Sequence, residues 1–372
     1  MFMKLTQIDL KGFKSIDGEV GQSISLGDVN ILLGANGSGK SNLVSFFKML
    51  HYMSTGKLQT YVGKYGVNQL LFYGNKKTES IYFRLHFSSQ ETNDNYEVQL
   101  SYGLTDRLFV CEEKIISHHT TDSSVQEYHL EGGGSEIKLP TDSRKLSKDI
   151  YELLSGIRTY HFHDTSDTAK IKDRVYVDDA RYLQSDASNL AAFLKMLKEH
   201  DTYYRYYERV IRHIRQAMPQ FGDFSLETLP GNQNYVRLNW VDASNSNYLF
   251  GPEQISDGTL RFMALTTLLL QPPQLLPKLI VLDEPELGLH PSIIAELAGI
   301  IRAVSHKIQI IIATQSTRLV DEFDADNLVV VEWNNNHLCS VFQKLKTTQL
   351  QEWLERYSLS ELWEKNVLGG GP

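Results

Sequence analysis

The stretch Val29-Asn30-Ile31-Leu32-Leu33 runs directly into Gly34-Ala35-Asn36-Gly37-Ser38-Gly39-Lys40-Ser41, and this junction limits what the chain can fold into more than any other feature. A short apolar run closed by glycine reads as a buried strand. From Lys40 to Tyr52 the spacing of Leu43, Phe46, Phe47 and Leu50 reads as one face of a helix. The intervening pattern G-x-x-x-x-G-K-S supplies what a phosphate needs. Its glycines let successive backbone N–H groups turn inward, and the helix N-terminus adds positive potential. Lys40 is then placed to reach the β- and γ-phosphates of a nucleoside triphosphate, and the Ser41 hydroxyl to ligate Mg²⁺.

A second apolar strand, Leu279-Ile280-Val281-Leu282, delivers Asp283 and Glu284 at its carboxyl end. Beside a phosphate-binding loop, Asp283 suits the Mg²⁺ shell and Glu284 suits polarisation of an attacking water. Ile255-Ser256-Asp257-Gly258-Thr259 opens a helix. Ser256 suits its N-cap, and Gly258 permits close backbone approach to an anion; with nothing bound, the same pattern is a capped core helix. Between Ile81 and Leu130, alternating segments predict an antiparallel meander, and Glu131-Gly-Gly-Gly-Ser135 is the most linker-like stretch. Helix formers follow, strand character returns past Gly231, and helices alternate with apolar strands from Ile255 onward, an α/β pattern. At ~150 residues per domain, the length suggests about two folded units.

The order of these motifs, ending in a strand that closes with Ala313-Thr314-Gln315-Ser316, resembles the ABC-type ATPase heads of the SMC and RecF clan. More closely it resembles stand-alone ATPases related to the overcoming-lysogenization-defect (OLD) nucleases. The resemblance is specific over about 1–90 and 250–345. It extends loosely through YHFHDTSDTAK and SDASNLAAFL to WLERYSLSELW and VLGGGP. It implies an α/β fold, a P-loop NTPase head of ABC/SMC type with an antiparallel β subdomain and a mostly helical insert. The N-terminal part of the head would span 1–135, the insert 136–250, and the C-terminal part 251–372 with signature, Walker B acids and switch. Gly12-Phe13-Lys14-Ser15 resembles the clan's first loop, whose basic residue, here Lys14, contacts phosphate. The implied ATP-binding set is Lys14, Gly34, Asn36, Gly37, Ser38, Gly39, Lys40, Ser41 and Asn42, with Ser41 and Asp283 holding Mg²⁺. The catalytic positions are Glu284 and Gln315. The signature, Ser256 to Thr259, would cap the γ-phosphate bound by a partner's loop, so the implied assembly is a homodimer or higher oligomer glued by ATP. Two positions depart from the clan's pattern. Gln315 stands where histidine is usual, and the Q-loop glutamine of transport ATPases has no clear match, Gln69 being the nearest candidate.

Composition narrows the partners. With 37 Lys+Arg against 45 Asp+Glu the net charge is −8, which excludes a small, uniformly basic DNA coat but not a local basic groove. Cys111 and Cys339 make neither a disulfide framework nor a zinc motif, and read as buried or neutral thiols in a reducing compartment. The N-terminus lacks the long apolar stretch of a signal peptide, and polar and proline residues interrupt the apolar region Phe262–Leu282 short of the ~18 residues of a membrane helix. A cytoplasmic protein with no membrane partner is expected. His161 and His163 suggest a shared strand face but lack a third ligand at metal spacing, so a structural or interface role is expected. Asp324-Ala-Asp326 resembles the acid pair of Toprim nucleases but falls where a turn belongs. With 56 residues after Ser316, room for a nuclease domain as well as the strands that close the head is not expected. Arg205, Arg209, Arg212 and Arg215 form a ridge beside Tyr204, which reads either as a solvated helix face or as a track for DNA or RNA.

The function expected is an ATP-hydrolysing switch that controls a separate effector, a nuclease or toxin. Resemblance alone places it in bacterial anti-phage defence, as in the Septu and PARIS-type pairs. The alternative is a RecF-like repair or recombination ATPase that binds DNA directly. A transport ATPase is disfavoured because 215 residues separate Lys40 from Ile255, and a non-hydrolysing scaffold because Lys40, Asp283 and Glu284 occur together. A neutral amide at 315 cannot share a proton. The pH–rate profile of turnover is therefore expected to show no break near pH ~6.5 that disappears in Gln315→Ala; a break lost in that variant would show the amide replaced by a titrating route.

Overall fold

A computed structural model of the chain describes residues 3–371 apart from 90, 104–105, 121–123, 131, 229–230 and 245–246. Glu131, the first residue of the linker-like stretch, lies outside the described residues. In chain order the elements are β1 (Lys4–Lys11), β2 (Gln22–Ser25), β3 (Val29–Leu33), α1 (Lys40–Ser54), α2 (Leu58–Tyr65), α3 (Val67–Leu70), β4 (Ser80–Ser88), β5 (Thr92–Gly103), β6 (Arg107–His119), β7 (Val125–Leu130), α4 (Lys145–Ser155) and β8 (Ile157–Tyr160). They continue as β9 (Val175–Tyr176), α5 (Leu190–Glu199), α6 (Tyr204–Ala217), β10 (Phe221–Ser225), β11 (Tyr235–Val236), β12 (Asn239–Asp242), β13 (Leu249–Phe250), α7 (Asp257–Leu270) and β14 (Leu279–Asp283). The last are α8 (Pro291–Ser305), β15 (Gln309–Thr314), α9 (Thr317–Val320), β16 (Leu328–Asn334), β17 (Cys339–Lys344), α10 (Thr347–Leu354) and α11 (Leu359–Glu364). Two compact units result: Met1–Arg158 with Lys278–Val281 and Gln309–Pro372, and Thr159–Pro277 with Leu282–Ile308. Motif order divides the chain at 135 and 250; the compact units change over at 158, 277, 281 and 308.

Most strands of two six-stranded sheets fall in the first unit. One has the order β2-β1-β4-β5-β6-β7 and is antiparallel throughout, the meander that alternation predicts. In β4 the alternation is literal, with Ile81, Phe83, Leu85 and Phe87 buried and the residues between them half-exposed. The other sheet has the order β17-β16-β3-β15-β14-β8. Here β3 lies parallel to both β15 and β16, and β17 closes the edge antiparallel. Every residue of β3 and β15 is buried, as expected for parallel strands covered on both faces. Helix α1 buries Leu43, Phe46, Phe47 and Leu50. Phe46 meets Phe13, Phe47 and Phe83 edge-on at 5.7, 6.2 and 5.3 Å. Each such pair adds about 0.5–1.5 kcal/mol beyond its buried area.

Gly132–Ser135 is pinned rather than free. Val110 N donates to the Gly134 carbonyl (2.9 Å), and the Gln59 amide donates to the Ser135 carbonyl (2.7 Å). The next residue, Glu136, accepts from Leu58 N (2.8 Å) and Gln59 N (3.1 Å), satisfying the first orphan N–H groups of α2 from a distant part of the chain. Cys111, expected as a buried or neutral thiol, is exposed on β6, while Cys339 is buried.

In the second unit α5 packs on α6, α6 on α7, and α7 on α8. Helical spacing puts Tyr203, Tyr207, Val210, Ile211 and Ile214 in one apolar stripe; the last four are buried on α6, while Tyr203 stands half-exposed just ahead of the helix. Short strands β10, β12 and β13 form one small sheet, whose Trp240 stacks on Phe250 at 4.4 Å. Nearly all of α7 is buried, which accounts for the apolar region beginning at Phe262. Among the described residues no helix is long and apolar enough to cross a membrane.

His51 on α1 lies 3.1 Å from the Arg158 guanidinium, both in the first unit. Burial, and then that cation, hold its imidazole down at about 4. The unfolded chain binds a proton at the ordinary value of about 6.5, so it holds more protons than the folded chain between the two values, and stability falls as pH drops through that window. The urea midpoint is expected to decline from pH ~7 to ~5 more in the wild type than in His51→Gln; equal declines would remove His51 as the cause.

Candidate functional site

The loop from Gly34 to Ser41 is shaped by its neighbours in the first unit. A side chain at Gly34 would lie 2.3 Å from the Val331 carbonyl oxygen, and one at Gly39 2.1 Å from Ser340 Oγ. Gly37 (φ 81°) and Gly39 (φ 115°) are left-handed, a region other residues enter only with strain. Ser340 Oγ lies 2.6 Å from the Ser38 carbonyl oxygen and 2.7 Å from Ser15 Oγ, and the Asn42 amide donates to Ser15 Oγ (2.7 Å). Ala35 N donates to the Gly370 carbonyl (3.2 Å), which also accepts from the Trp363 indole (2.8 Å). A cleft of about 530 Å³ beside the loop apex is lined by Asn36, Gly37, Glu332, Trp333 and Asn366.

Lys40 opens α1, is buried, and donates to the Gly34 (2.6 Å) and Ala35 (2.9 Å) carbonyls, so its ammonium lies over the loop. Ser41 is exposed one residue further. Lys14 is left-handed (φ 51°), its N–H held by the Leu70 carbonyl (2.8 Å) and its ammonium 5.5 Å from the Tyr65 ring centre. Burial lowers its pKa, and an anion beside it would oppose that shift. Gln315 is exposed immediately after β15, and Ser316 caps α9 by accepting from Leu319 N (3.2 Å). Gln69, the Q-loop candidate, sits exposed on the single turn α3.

The second unit carries the acids and the signature. Asp283 is the last residue of β14, and Glu284 follows in the left-handed region at φ 43°. Such a conformation costs a non-glycine residue about 1–2 kcal/mol, strain of the kind held at functional sites. Ser256 caps α7 as predicted, its Oγ accepting from Thr259 N (3.3 Å) and lying 2.8 Å from Thr259 Oγ1. Ser256 and Asp257 are exposed. Gly258, expected to admit an anion, is crowded by protein: a side chain there would lie 2.2 Å from the Gly288 carbonyl oxygen. Asp257 is 3.7 Å from the buried ammonium of Lys172.

Several residues at this site escaped motif reasoning. Arg261, 5% exposed, donates through Nε to the Phe162 carbonyl (2.6 Å) and through Nη2 to the His163 carbonyl (3.1 Å). Burial lowers its pKa, and the Asp257 and Glu286 carboxylates oppose that shift. The available signal was a lone charge inside TLRFMALTTLLL. His161 and His163 do not share a strand face, because β8 ends at Tyr160. Their rings stand 6.2 Å apart, His161 Nδ1 is 3.5 Å from Asp283 Oδ2, and His163 Nε2 donates to the Asp283 carbonyl (2.8 Å). Asp324 and Asp326 are spent on a turn: Asp324 caps it with Asn327, and Asp326 accepts from Thr347 N (3.1 Å) and Oγ1 (2.6 Å). On α6, Arg205, Arg209, Arg212 and Arg215 are all exposed, and Arg215 also donates to the Gly222 carbonyl (Nε, 3.1 Å).

Residues 29–321 match the profile of the family described as "AAA domain, putative AbiEii toxin, Type IV TA system". A search of curated protein sequences finds no match. Among solved structures, an SMC head bound to the C-winged helix domain of ScpA matches at TM-score 0.59 and 15% identity, over 94% of this chain and 99% of that one. The Smc head with an extended coiled coil bound to the C-terminal domain of ScpA, derived from Pyrococcus furiosus, matches at TM-score 0.57 and 15% identity, over 95% and 99%. The SMC head domain from Thermotoga maritima matches at 0.50 and 15%, over 92% and 99%. At these identities the likeness is one of fold: this chain has the α/β P-loop architecture of SMC heads.

The contact at Gly258 sets a test. Gly258→Ala drives a methyl into the Gly288 carbonyl and is expected to cost about 1–3 kcal/mol of stability by overpacking. Urea unfolding measures it, and an unchanged midpoint would show that the Gly258–Gly288 approach is not tight in solution.

Proposed function

Because the chain belongs to this AAA-domain family of AbiEii type, we propose that it binds ATP, hydrolyses it to ADP and phosphate, and uses the cycle to switch a separate effector protein. The observation that carries the reading is the phosphate loop. Its left-handed glycines, its external bracing and the Lys40 ammonium lying over it form a cradle for anionic oxygens. Ser41 in the first unit offers a hydroxyl and Asp283 in the second a carboxylate, each a hard oxygen donor of the kind that suits Mg²⁺. That ion, when bound with ATP, neutralises charge on the phosphate oxygens. Lys40 and Lys14 hold the phosphates, Glu284 orients and deprotonates the attacking water, and Gln315 hydrogen-bonds to that water or to the γ-phosphate.

The signature supports a composite site. Ser256 to Thr259 sit at the N-terminus of a 14-residue helix, with Ser256 and Asp257 exposed, a geometry that receives phosphate. In this reading the phosphate comes from a second copy, and ATP joins two heads. The family description names a putative toxin of a toxin–antitoxin system; we take the controlled partner to be a protein and the role to be cytoplasmic, in anti-phage defence. Asp324 and Asp326, tied up in their turn, do not offer a nuclease acid pair within this chain. A second reading, direct DNA binding of RecF type, draws on exposed Arg205, Arg209 and Arg212 beside exposed Tyr204; it requires ATP-dependent DNA affinity with a steep salt slope.

Three variants decide between the outcomes. Lys40→Ala is expected to abolish ATP binding. Glu284→Gln is expected to bind ATP, to lose about 100-fold or more of its turnover, and to run as an ATP-dependent oligomer on a sizing column. Identical elution with and without ATP would end the sandwich reading. Ser256→Arg is expected to be inactive alone, and mixing it with Lys40→Ala to restore turnover through one competent composite site; no recovery would place the signature outside the active site.

A further inference from the structure

We infer that His163, supported by His161 and by Arg261, is a positioning residue for the metal-binding carboxylate of Asp283, and that it ties this carboxylate to the signature helix. The inference rests on the ATPase reading above. Every contact lies within the second unit. His163 Nε2 is 2.8 Å from the Asp283 carbonyl oxygen. A carbonyl only accepts, so His163 carries its hydrogen on Nε2 and donates it there. This fixes the backbone at the point where β14 ends and the strained Glu284 begins. His161 places Nδ1 3.5 Å from Asp283 Oδ2, so an imidazole faces the carboxylate itself.

The backbone that carries those two rings is in turn held by α7. Arg261 Nε donates to the carbonyl of Phe162, between the histidines, and Nη2 donates to the carbonyl of His163. Arg261 is one turn into the helix that Ser256 caps, and its charge is supported by Asp257 of the signature itself. A guanidinium grips two carbonyls as a fixed fork, so a shift of the helix start is passed to the 161–163 segment rather than absorbed by a flexible stem. An unbroken chain of contacts therefore runs from the signature through Arg261 and the histidine segment to Asp283, the physical basis a coupling needs. Phosphate captured by the signature steadies the acid that holds the metal in the same chain.

Groups that orient a metal-binding carboxylate typically change metal affinity by about 10–100-fold when removed. The test uses the full chain with Mn²⁺ as probe and a non-hydrolysable ATP analogue, reading free Mn²⁺ by electron paramagnetic resonance. His163→Ala is expected to weaken nucleotide-dependent Mn²⁺ binding by about tenfold or more, with analogue affinity in EDTA and the melting temperature unchanged. His163→Gln keeps an N–H donor and is expected to recover most of the Mn²⁺ affinity. Arg261→Lys keeps the charge but loses the fork, and is expected to weaken Mn²⁺ binding in the same direction. Glu284→Gln serves as the control: turnover is lost while Mn²⁺ affinity holds. Wild-type Mn²⁺ affinity in His163→Ala overturns the inference and leaves the ATPase reading standing. A loss that follows the melting temperature, without rescue by glutamine, also overturns it. If the wild type shows neither nucleotide-dependent Mn²⁺ binding nor turnover, the ATPase reading falls and takes this inference with it.

Discussion

A loop that offers its backbone amides to a ligand cannot spend them on its own folding, so its shape has to be imposed from outside. In this chain the imposition is steric. The Val331 carbonyl presses on Gly34 and the Ser340 side chain on Gly39, leaving no room for a Cβ at either position. Ser15, Ser340 and the Gly370 carbonyl then fix the remaining freedom by hydrogen bonds. Strands β16 and β17 and the segment around Gly370 are thus parts of the phosphate loop in the physical sense, although about 300 residues of chain lie between. The edge of the parallel sheet matters to function because it is the mould.

The second unit solves a different problem, that of holding a cation inside an apolar helix. Arg261 is buried among leucines and phenylalanine, where an unpaired charge would cost several kcal/mol, about 3–5 when a partner is removed. Two backbone carbonyls and the carboxylates of Asp257 and Glu286 compensate it. Each of those groups belongs to a segment with its own functional reading: the histidine segment, the signature, and the stretch after the Walker B acids. The close approach of Gly258 to Gly288 brings two of these three segments together, the signature and the stretch after the Walker B acids. A charge that needs several partners at once is a strong locator, because losing any one of them exposes the rest to an unfavourable field.

Much of this was legible along the chain. Strand β3, the loop and α1 fall where apolar runs and glycine spacing placed them, α6 buries four of the five residues its periodicity named, all but Tyr203, and Ser256 caps its helix. These are local properties, written in periods of two and 3.6 or in a single cap. The histidine pair was visible as a pattern but not as a function, since its partner Asp283 lies 120 residues away. Gly258 was recognised as a position needing space, and a side chain there would meet the Gly288 carbonyl, 30 residues further along the chain. The glycine run after residue 131 had a linker's composition, yet its neighbour Glu136 caps α2, and composition carries no information about a helix end elsewhere in the chain.

Local sequence was sufficient to place a glycine-rich loop between a buried strand and a helix, two acids at a strand end, and a capped helix that opens with a small-residue motif. Those features depend on dihedral preferences and hydrogen-bond directions that act within a few residues. Tertiary structure alone decided which groups brace the loop, what crowds the signature glycine, and which side chains steer Asp283. Those contacts join residues far apart in the chain, and their energies depend on burial and on the number of partners brought together, quantities that no short window of sequence contains.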